Sequence, residues 1–309
     1  MTERRIGVVY LTDGRRDDLT YASAVALGLS HSREIDIHIV QSGFRSAPPP
    51  AVLRVLQAKG HRLATHTLST VDRGLSGHGH ITSTAYEKAE AIATVSGKHD
   101  VVCYLDNDTL AMSPLDLALA APKTQPLAAV PDLSISTGFD NPAFFENCDR
   151  HGLERRYFNS GFMAINVSRW IGSGIPERYD SAVKEHADFC PYWDGSCIHI
   201  DQCAFNIAAN GAWETLPLEF NVQKSAFQTA YWDRALIRHY TGPEKFLPAV
   251  AHRIDSKERS VLGRISCNCG ELGLNIPPAY LGLPYRVNRL RRRADRTKIS
   301  RLLDGFLAV

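Results

Sequence analysis

The chain has 309 residues, 44% of them hydrophobic and 22% charged, with a formal net charge of +2. That composition excludes a disordered or fibrous chain, and the length suits one large domain or two smaller ones. The near-neutral balance argues neither for nor against nucleic acid, but the charge is uneven. Tyr285 to Val309 carries eight Lys/Arg against two Asp, whereas the remainder carries 27 basic and 31 acidic groups. A basic end on a mildly acidic body points to an anionic partner for that end.

The opening "MTERRIGVVYLTDG" has one apolar run, Ile6 to Leu11. It is too short for a secretion signal, and no stretch approaches the roughly 20 apolar residues of a membrane span. Seven cysteines without a CxxC pair read as reduced thiols of a cytoplasmic protein.

In chain order, "RIGVVYL" predicts a buried strand and "LTYASAVALGLSHS" a small-residue helix. "EIDIHIVQSG" alternates as a strand does. "PPPAVLRVLQAKG" begins a helix with proline and ends it at Gly60, and "HRLATHTL" predicts a third strand. "TSTAYEKAEAIATVSG" predicts a helix capped by Ser83 or Thr84 and stopped at Gly97; "DVVCYLD" and "PLAAVPDL" complete the series. Strands alternating with helices imply an α/β fold with a mostly parallel sheet covered on both faces. Such sheets bind ligands at the carboxyl ends of their strands, where Asp13, Asp106, Asp108 and Asp132 fall.

Beyond residue 133 the pattern loosens. "GFMAINV" and "ALIRHY" predict strands; "PERYDSAVKEHADF" and "HIDQCAFNIAANG" predict helices. Pro, Gly and Cys crowd Gly263 to Pro284, which suggests an irregular connector. "VNRLRRRADRTKISRLLDGFL" predicts a terminal helix. The division expected is 1–248 as the main domain, with a change of pattern between 1–133 and 134–248, followed by 249–309 as connector and basic helical tail.

Four motifs carry chemistry. In Asp106-Asn107-Asp108 the two acids, two apart on extended backbone, point the same way and can share one hard cation such as Mg²⁺ or Mn²⁺. An ordinary acidic turn has the same spelling. In "RHYTGPEKF", His239 can offer a ring nitrogen to that cation, Gly242 admits a close backbone approach, and Lys245 suits a diphosphate oxygen. In "RYFNSGFMAINVSRW", Asn159 and Ser160 sit on a glycine turn at a strand entry. In "HIDQCAFN", Asp201 and Gln202 open a helix, where Asp201 is either a first-turn acid or a contact to a sugar hydroxyl.

Together these motifs resemble glycosyltransferase family 8, the retaining sugar-nucleotide transferases that include lipopolysaccharide galactosyl- and glucosyltransferases and glycogenin. The likeness runs in order over roughly residues 6 to 246. "VVYLTD" resembles the first strand with its nucleotide-contacting acid, here Asp13. "TSTAYEKAEA" resembles the helix offering a basic residue to the donor, here Lys88. "YLDNDTL" resembles the D-x-D signature, "PDL" brings Asp132, and "YFNSGFMAINVSRW" is similar to the family's Y-F-N-[SA]-G-x-x-x-I-N segment. The resemblance implies a GT-A fold with a Rossmann-like sheet, a divalent metal (usually Mn²⁺, or Mg²⁺) and a UDP-sugar donor. It implies metal ligation by Asp106, Asp108 and His239 and diphosphate binding by Lys245 and Gly242. Asn107 and Ser160 join the donor contacts, and Lys88, Asp132, Asn159, Asp201 and Gln202 surround the sugar, with Gln202 and Asp201 nearest the chemistry. The chain departs from the family at Gly14-Arg15-Arg16, where Asp-Asn-Tyr is common, at Lys88 in place of Arg, and at Phe246 in place of Pro.

The activity so implied is transfer of a hexose, from UDP-glucose or UDP-galactose, to a glycan or lipid-linked saccharide. Two rival classes share features: a phosphohydrolase of the haloacid dehalogenase type, which also places D-x-D after a strand, and a non-catalytic sugar-nucleotide-binding protein. "GHGH" (Gly77 to His80) reads as a flexible loop, and Cys190, Cys197, His199 and Cys203 fit no zinc spacing. The C-terminal helix could lie on an anionic membrane; no basic groove for nucleic acid is evident.

Overall fold

A computed structural model describes residues 5–69, 83–137, 140–186, 188–196 and 199–307. The strands are β1 (Ile6–Thr12), β2 (Asp36–Ser42), β3 (Arg62–Leu68), β4 (Val101–Leu105), β5 (Thr109–Ala111), β6 (Leu127–Pro131), β7 (Phe158–Asn166), β8 (Trp213–Thr215), β9 (Val222–Gln223) and β10 (Ile237–His239). The helices are α1 (Asp17–Ser30), α2 (Pro50–Ala58), α3 (Lys88–Ser96), α4 (Leu133–Ser136), α5 (Phe144–His151) and α6 (Val167–Gly172), followed by α7 (Ile175–Glu185), α8 (Ile200–Ala209), α9 (Ala230–Arg234), α10 (Ser256–Asn268), α11 (Gly282–Arg291) and α12 (Arg293–Leu307). The segment holding Gly77 to His80, and Cys197, lie outside the described residues.

The main sheet has the order β3-β2-β1-β4-β7-β6-β8, and β5-β10-β9 form a small second sheet. β1 pairs in parallel with both β2 and β4, β2 with β3, and β6 with β8. β1 shows why the strands read as unbroken apolar runs. Val8 and Tyr10 enter one core layer with α1 and α2. Val9 and Leu11 enter the opposite layer with α3, α7 and α8. A strand buried on both faces has no polar side to alternate.

β7 is antiparallel to both β4 and β6. This reversal places the site. The beginning of β7 lies beside the ends of β4 and β6, with Phe162 opposite Leu105 and Phe158 opposite Pro131. Asn159 and Ser160 therefore stand next to Asp106 and Asp132, which follow those strand ends.

Three expectations differ in detail. The helix expected from Ser83 or Thr84 begins as a 3-10 turn, Ser83–Glu87, and becomes α-helical at Lys88. Tyr86, Glu87 and Lys88 are all buried there, so tertiary packing rather than a side-chain cap sets the entry. The single terminal helix is two, α11 and α12, divided at Arg292. They do not form a free tail: Tyr285 and Leu303 are buried, and Arg289 pairs with Asp233 at 2.8 Å. Helix α10 runs to Asn268, into the segment whose composition suggested a connector, and buries Val261, Leu262 and Ile265.

Arg238, next to His239, is fully buried and pairs with Asp255 at 2.7 Å and Glu258 at 3.3 Å. Two acids face one guanidinium, so only one needs to ionise. Burial pushes the Glu258 carboxyl up to about 7, with Arg238 opposing the rise. The folded state then holds this proton more tightly than the unfolded chain. The resulting stability is full below about pH 4.5 and is lost as pH rises through about 7. Urea melts should show the wild type weakening across that window and Glu258→Gln lacking this component. Arg238→Met, which strands two buried acids, should cost about 3 to 5 kcal/mol in the same melts at neutral pH.

Candidate functional site

One cleft of about 960 Å³ opens at the carboxyl ends of β1 and β4, and every residue that the family resemblance assigned to the metal, the donor or the chemistry lines it. Asp13, Lys88, Asp106, Asn107, Asp108 and Asp132 come from the first half of the chain. Asn159, Ser160, Asp201, Gln202, His239, Gly242 and Lys245 come from the second.

The acids at the end of β4 each turn one oxygen to a lysine and the other to His239. Asp106 gives Oδ1 to Lys88 Nζ (3.0 Å) and to the Tyr104 hydroxyl (3.0 Å), while its Oδ2 lies 3.6 Å from His239 Nε2. Asp108 gives Oδ2 to Lys245 Nζ in a short contact, while its Oδ1 lies 3.2 Å from the same Nε2. One oxygen of each acid is tied to a lysine, and the other is turned to a common point facing His239. The three ligand atoms lie within 4.8 Å of one another.

The ring of His239 is set by a relay. Asp132 Oδ2 accepts from Asn159 Nδ2 at 3.1 Å, which turns the Asn159 carbonyl toward Asn221. Asn221 Nδ2 donates to that carbonyl at 2.9 Å, leaving its own oxygen 3.1 Å from His239 Nδ1. Nδ1 is turned to that oxygen, which leaves Nε2 as the nitrogen facing the two acids. Two carboxylate oxygens and an imidazole nitrogen converging on one point fit a hard divalent cation. Gly161 is needed for the same reason. A Cβ there would fall 2.1 Å from His239 Cε1, so only glycine lets the ring lie against β7.

Electrostatics favours the charged forms of Lys88 and Asp108. Burial alone would lower the Lys88 ammonium, but Asp106 and Asp201 outweigh it and hold it above its ordinary value. Lys88 is 2.7 Å from Asp201 Oδ2 and 3.2 Å from Ser160 Oγ, and its ammonium sits over the Tyr104 ring. Burial would raise the Asp108 carboxyl, but His239 and Lys245 hold it well below the usual range.

Gln202 and Asp132 are fully engaged. Gln202 Oε1 accepts from Asn159 Nδ2 (2.9 Å) and the Ser160 amide (3.2 Å), and its Nε2 donates to Asp132 Oδ2 (3.1 Å). The other oxygen of Asp132 caps α4 by accepting from the amides of Ser134 and Ile135. A sugar contact at Asp132 would compete with these four bonds. Gly242 has φ +81° and nothing near its missing Cβ. Its glycine serves the left-handed turn rather than a close approach within the protein. Asp13 lies at the rim, paired with Arg15 at 3.7 Å.

The sequence reading missed Tyr104 and Asn221. Tyr104 precedes Asp106 by two, so on an extended strand it shares the acid's side, which was readable. Asn221 follows the short 3-10 turn Leu218–Phe220 and carries no local sign of a partner 18 residues away. Gly161→Ala and Asn221→Ala should each weaken Mn²⁺ binding by about 10- to 100-fold, as losses of second-layer support do. Electron paramagnetic resonance of free Mn²⁺ reads the titration, and far-ultraviolet circular dichroism should stay native.

A search of curated protein sequences finds no match for this chain. Among solved structures, an active-site mutant of LgtC superposes with TM-score 0.63 at 20% identity, over 89% of this chain and 98% of that one. The bifunctional glycosyltransferase WbbM gives 0.63 at 15% identity, over 93% of this chain and 52% of WbbM. The glycosyltransferase GlyE of Streptococcus pneumoniae gives 0.55 at 16% identity, over 90% and 66%. At these identities the likeness establishes the GT-A fold alone. The family model described as "Glycosyl transferase family 8" matches residues 51–246, which span β4 with its paired acids, the β7 glycine turn, the start of α8 and His239 with Lys245. On that match, the chain belongs to glycosyltransferase family 8.

Proposed function

We propose that this glycosyltransferase moves a hexose from a UDP-sugar, UDP-glucose or UDP-galactose, to a glycan or lipid-linked saccharide with retention at the anomeric carbon. The observation that carries the reading is the division of Asp106 and Asp108, each with one oxygen on a lysine and the other facing Nε2 of His239. A divalent cation held by these three, Mn²⁺ or Mg²⁺, would neutralise the charge that develops on the leaving diphosphate. Lys245 and the backbone at Gly242 would bind diphosphate oxygens, with Lys245 exchanging Asp108 for phosphate. Asp13 would meet the nucleotide, and Asn107 and Ser160 the donor. Residues 1–133 serve as the nucleotide-sugar half and 134–248 as the acceptor half, with 249–309 completing the body.

The bonding of Gln202 supports same-face attack. Its carbonyl oxygen already accepts two hydrogen bonds, and a neutral amide so engaged is a poor nucleophile. The bond from the anomeric carbon to the leaving phosphate oxygen breaks, and its electron pair stays on phosphate. The acceptor oxygen then forms the new bond from the same side and gives its proton to that phosphate oxygen. Gln202 and Asp201 face the positive charge growing on the sugar. Lys88 pairs with Asp201 and fixes its orientation, so its field is in place before the reaction. Neither a haloacid-dehalogenase-type phosphohydrolase nor a non-catalytic binding protein is favoured by the family match or by this ligand set.

No described helix is long and apolar enough to cross a membrane. Helix α11 nonetheless exposes Leu283, Val287 and Leu290 at helical spacing, with Tyr280 just before it. Arg286, Arg291 and Arg293 flank this stripe and are exposed. Apolar residues rimmed by arginines suit the headgroup layer of an anionic bilayer, which supports a cytoplasmic enzyme resting on the inner face of a membrane.

Asp106→Ala and Asp108→Ala should each abolish Mn²⁺-dependent hydrolysis of UDP-glucose or UDP-galactose, with the melting temperature still measurable and cooperative; near-wild-type rates in either would remove the cation's role. Leu283→Ser with Leu290→Ser should lower cosedimentation with phosphatidylglycerol vesicles several-fold while hydrolysis continues. Point changes are the better probe here, because removing 285–309 would uncover the sites covered by Tyr285 and Leu303.

A further inference from the structure

Beside the catalytic cleft lies a second, smaller cavity of about 260 Å³, between α4 and α12. Ser134, Lys224 and Ser225 line both, so the two spaces adjoin. Leu133, Phe227 and Ile299 give the smaller cavity an apolar wall. Arg292 and Arg296 give it positive charge, against the single acid Asp295.

Its most telling residue is Gln228. The side chain is wholly buried and lines the cavity. Neither its amide oxygen nor its amide nitrogen has a hydrogen-bond partner among the described residues. Its backbone has φ +62°, a left-handed conformation that non-glycine residues seldom adopt. The Ser225 hydroxyl and the Arg296 Nε are likewise buried and unpartnered among the described residues. Buried amides are nearly always paired, so a cluster of orphans on one cavity wall needs an occupant that both donates and accepts.

We propose that this cavity is an acceptor subsite for a saccharide unit carrying an oxyanion, phosphate or carboxylate, next to the point of transfer. The inference deepens the transferase reading and rests on it. Sugar hydroxyls donate and accept, which matches the free amide of Gln228 and the hydroxyl of Ser225. The C–H face of a pyranose matches Leu133, Phe227 and Ile299. The guanidinium groups of Arg292 and Arg296 match an oxyanion, which they can grip in two parallel bonds. The cavity is near the small end of ligand sites, which run from about 300 to 1,000 Å³, and so suits one ring rather than an oligosaccharide.

The test is ligand-observed NMR in EDTA with glucose, glucose 1-phosphate and glucuronate as probes, on the wild type, Arg296→Gln and Gln228→Leu. One or both anionic probes should bind the wild type at least tenfold tighter than glucose, and the tighter of the two identifies the oxyanion. Arg296→Gln should remove that advantage and leave glucose binding unchanged; Gln228→Leu should weaken all three probes. Equal binding of all probes by the wild type, or anion binding untouched by Arg296→Gln, overturns the proposal. Mn²⁺-dependent hydrolysis of the UDP-sugar, measured on the same proteins without acceptor, should be unchanged in both variants. Loss of hydrolysis in the wild type would refute the transferase reading, while the NMR result would still decide whether the cavity takes an anionic sugar.

Discussion

The cleft depends on meeting buried carboxylates with ammonium groups. Asp106, Asp108 and Asp201 converge at the ends of β4 and the start of α8, and an unpaired ionised acid at such depth is costly. Lys88 bridges Asp106 and Asp201, and Lys245 meets Asp108. The lysines do more than balance charge. Each takes one oxygen from an acid of the β4 pair, which decides the direction of the other. The pair is thus oriented toward His239 before any ligand arrives, and that preorganisation is what electrostatic stabilisation of a leaving group requires.

A second layer keeps the first in place. Asp132, Asn159 and Asn221 pass a hydrogen-bond direction from a carboxylate to an imidazole, and the missing side chain of Gly161 gives the imidazole room. All of it follows from one topological fact. Because β7 runs against β4 and β6, residues at its beginning share an edge with residues at their ends. Had β7 been parallel, Asn159 and Gly161 would have opened at the opposite edge of the sheet.

The C-terminal helices belong to the same body. Leu303 joins the core that α1, α10 and β1 share. Arg292, at the junction of α11 and α12, and Arg296 on α12 line the cavity beside the cleft. Arg291, Arg293 and the apolar stripe of α11 lie on outward surfaces. A segment that reads as a basic tail by charge count therefore has two faces with different surroundings, and the charge count could not separate them.

Local pattern was enough for the alternation of strands and helices, the mostly parallel sheet and the acids and turns of the cleft, whereas Lys88 came only with the family resemblance. Apolar runs ending in acids mark strand ends, and strand ends are where such sheets bind ligands. The Asp106 and Asp108 pair, the Asn159-Ser160-Gly161 turn and the His239 to Lys245 turn were legible because extended and turn geometry is set by near neighbours. What sequence alone determined is thus which groups are available and on which kind of element. Only the tertiary structure decided which oxygen of each acid goes to which lysine, that Asn221 orients His239, that Gly161 is glycine for the sake of a ring 78 residues later, and that Gln228 is buried without a partner among the described residues. Those facts depend on distances between segments remote in the chain, and a one-dimensional pattern carries no information about such distances.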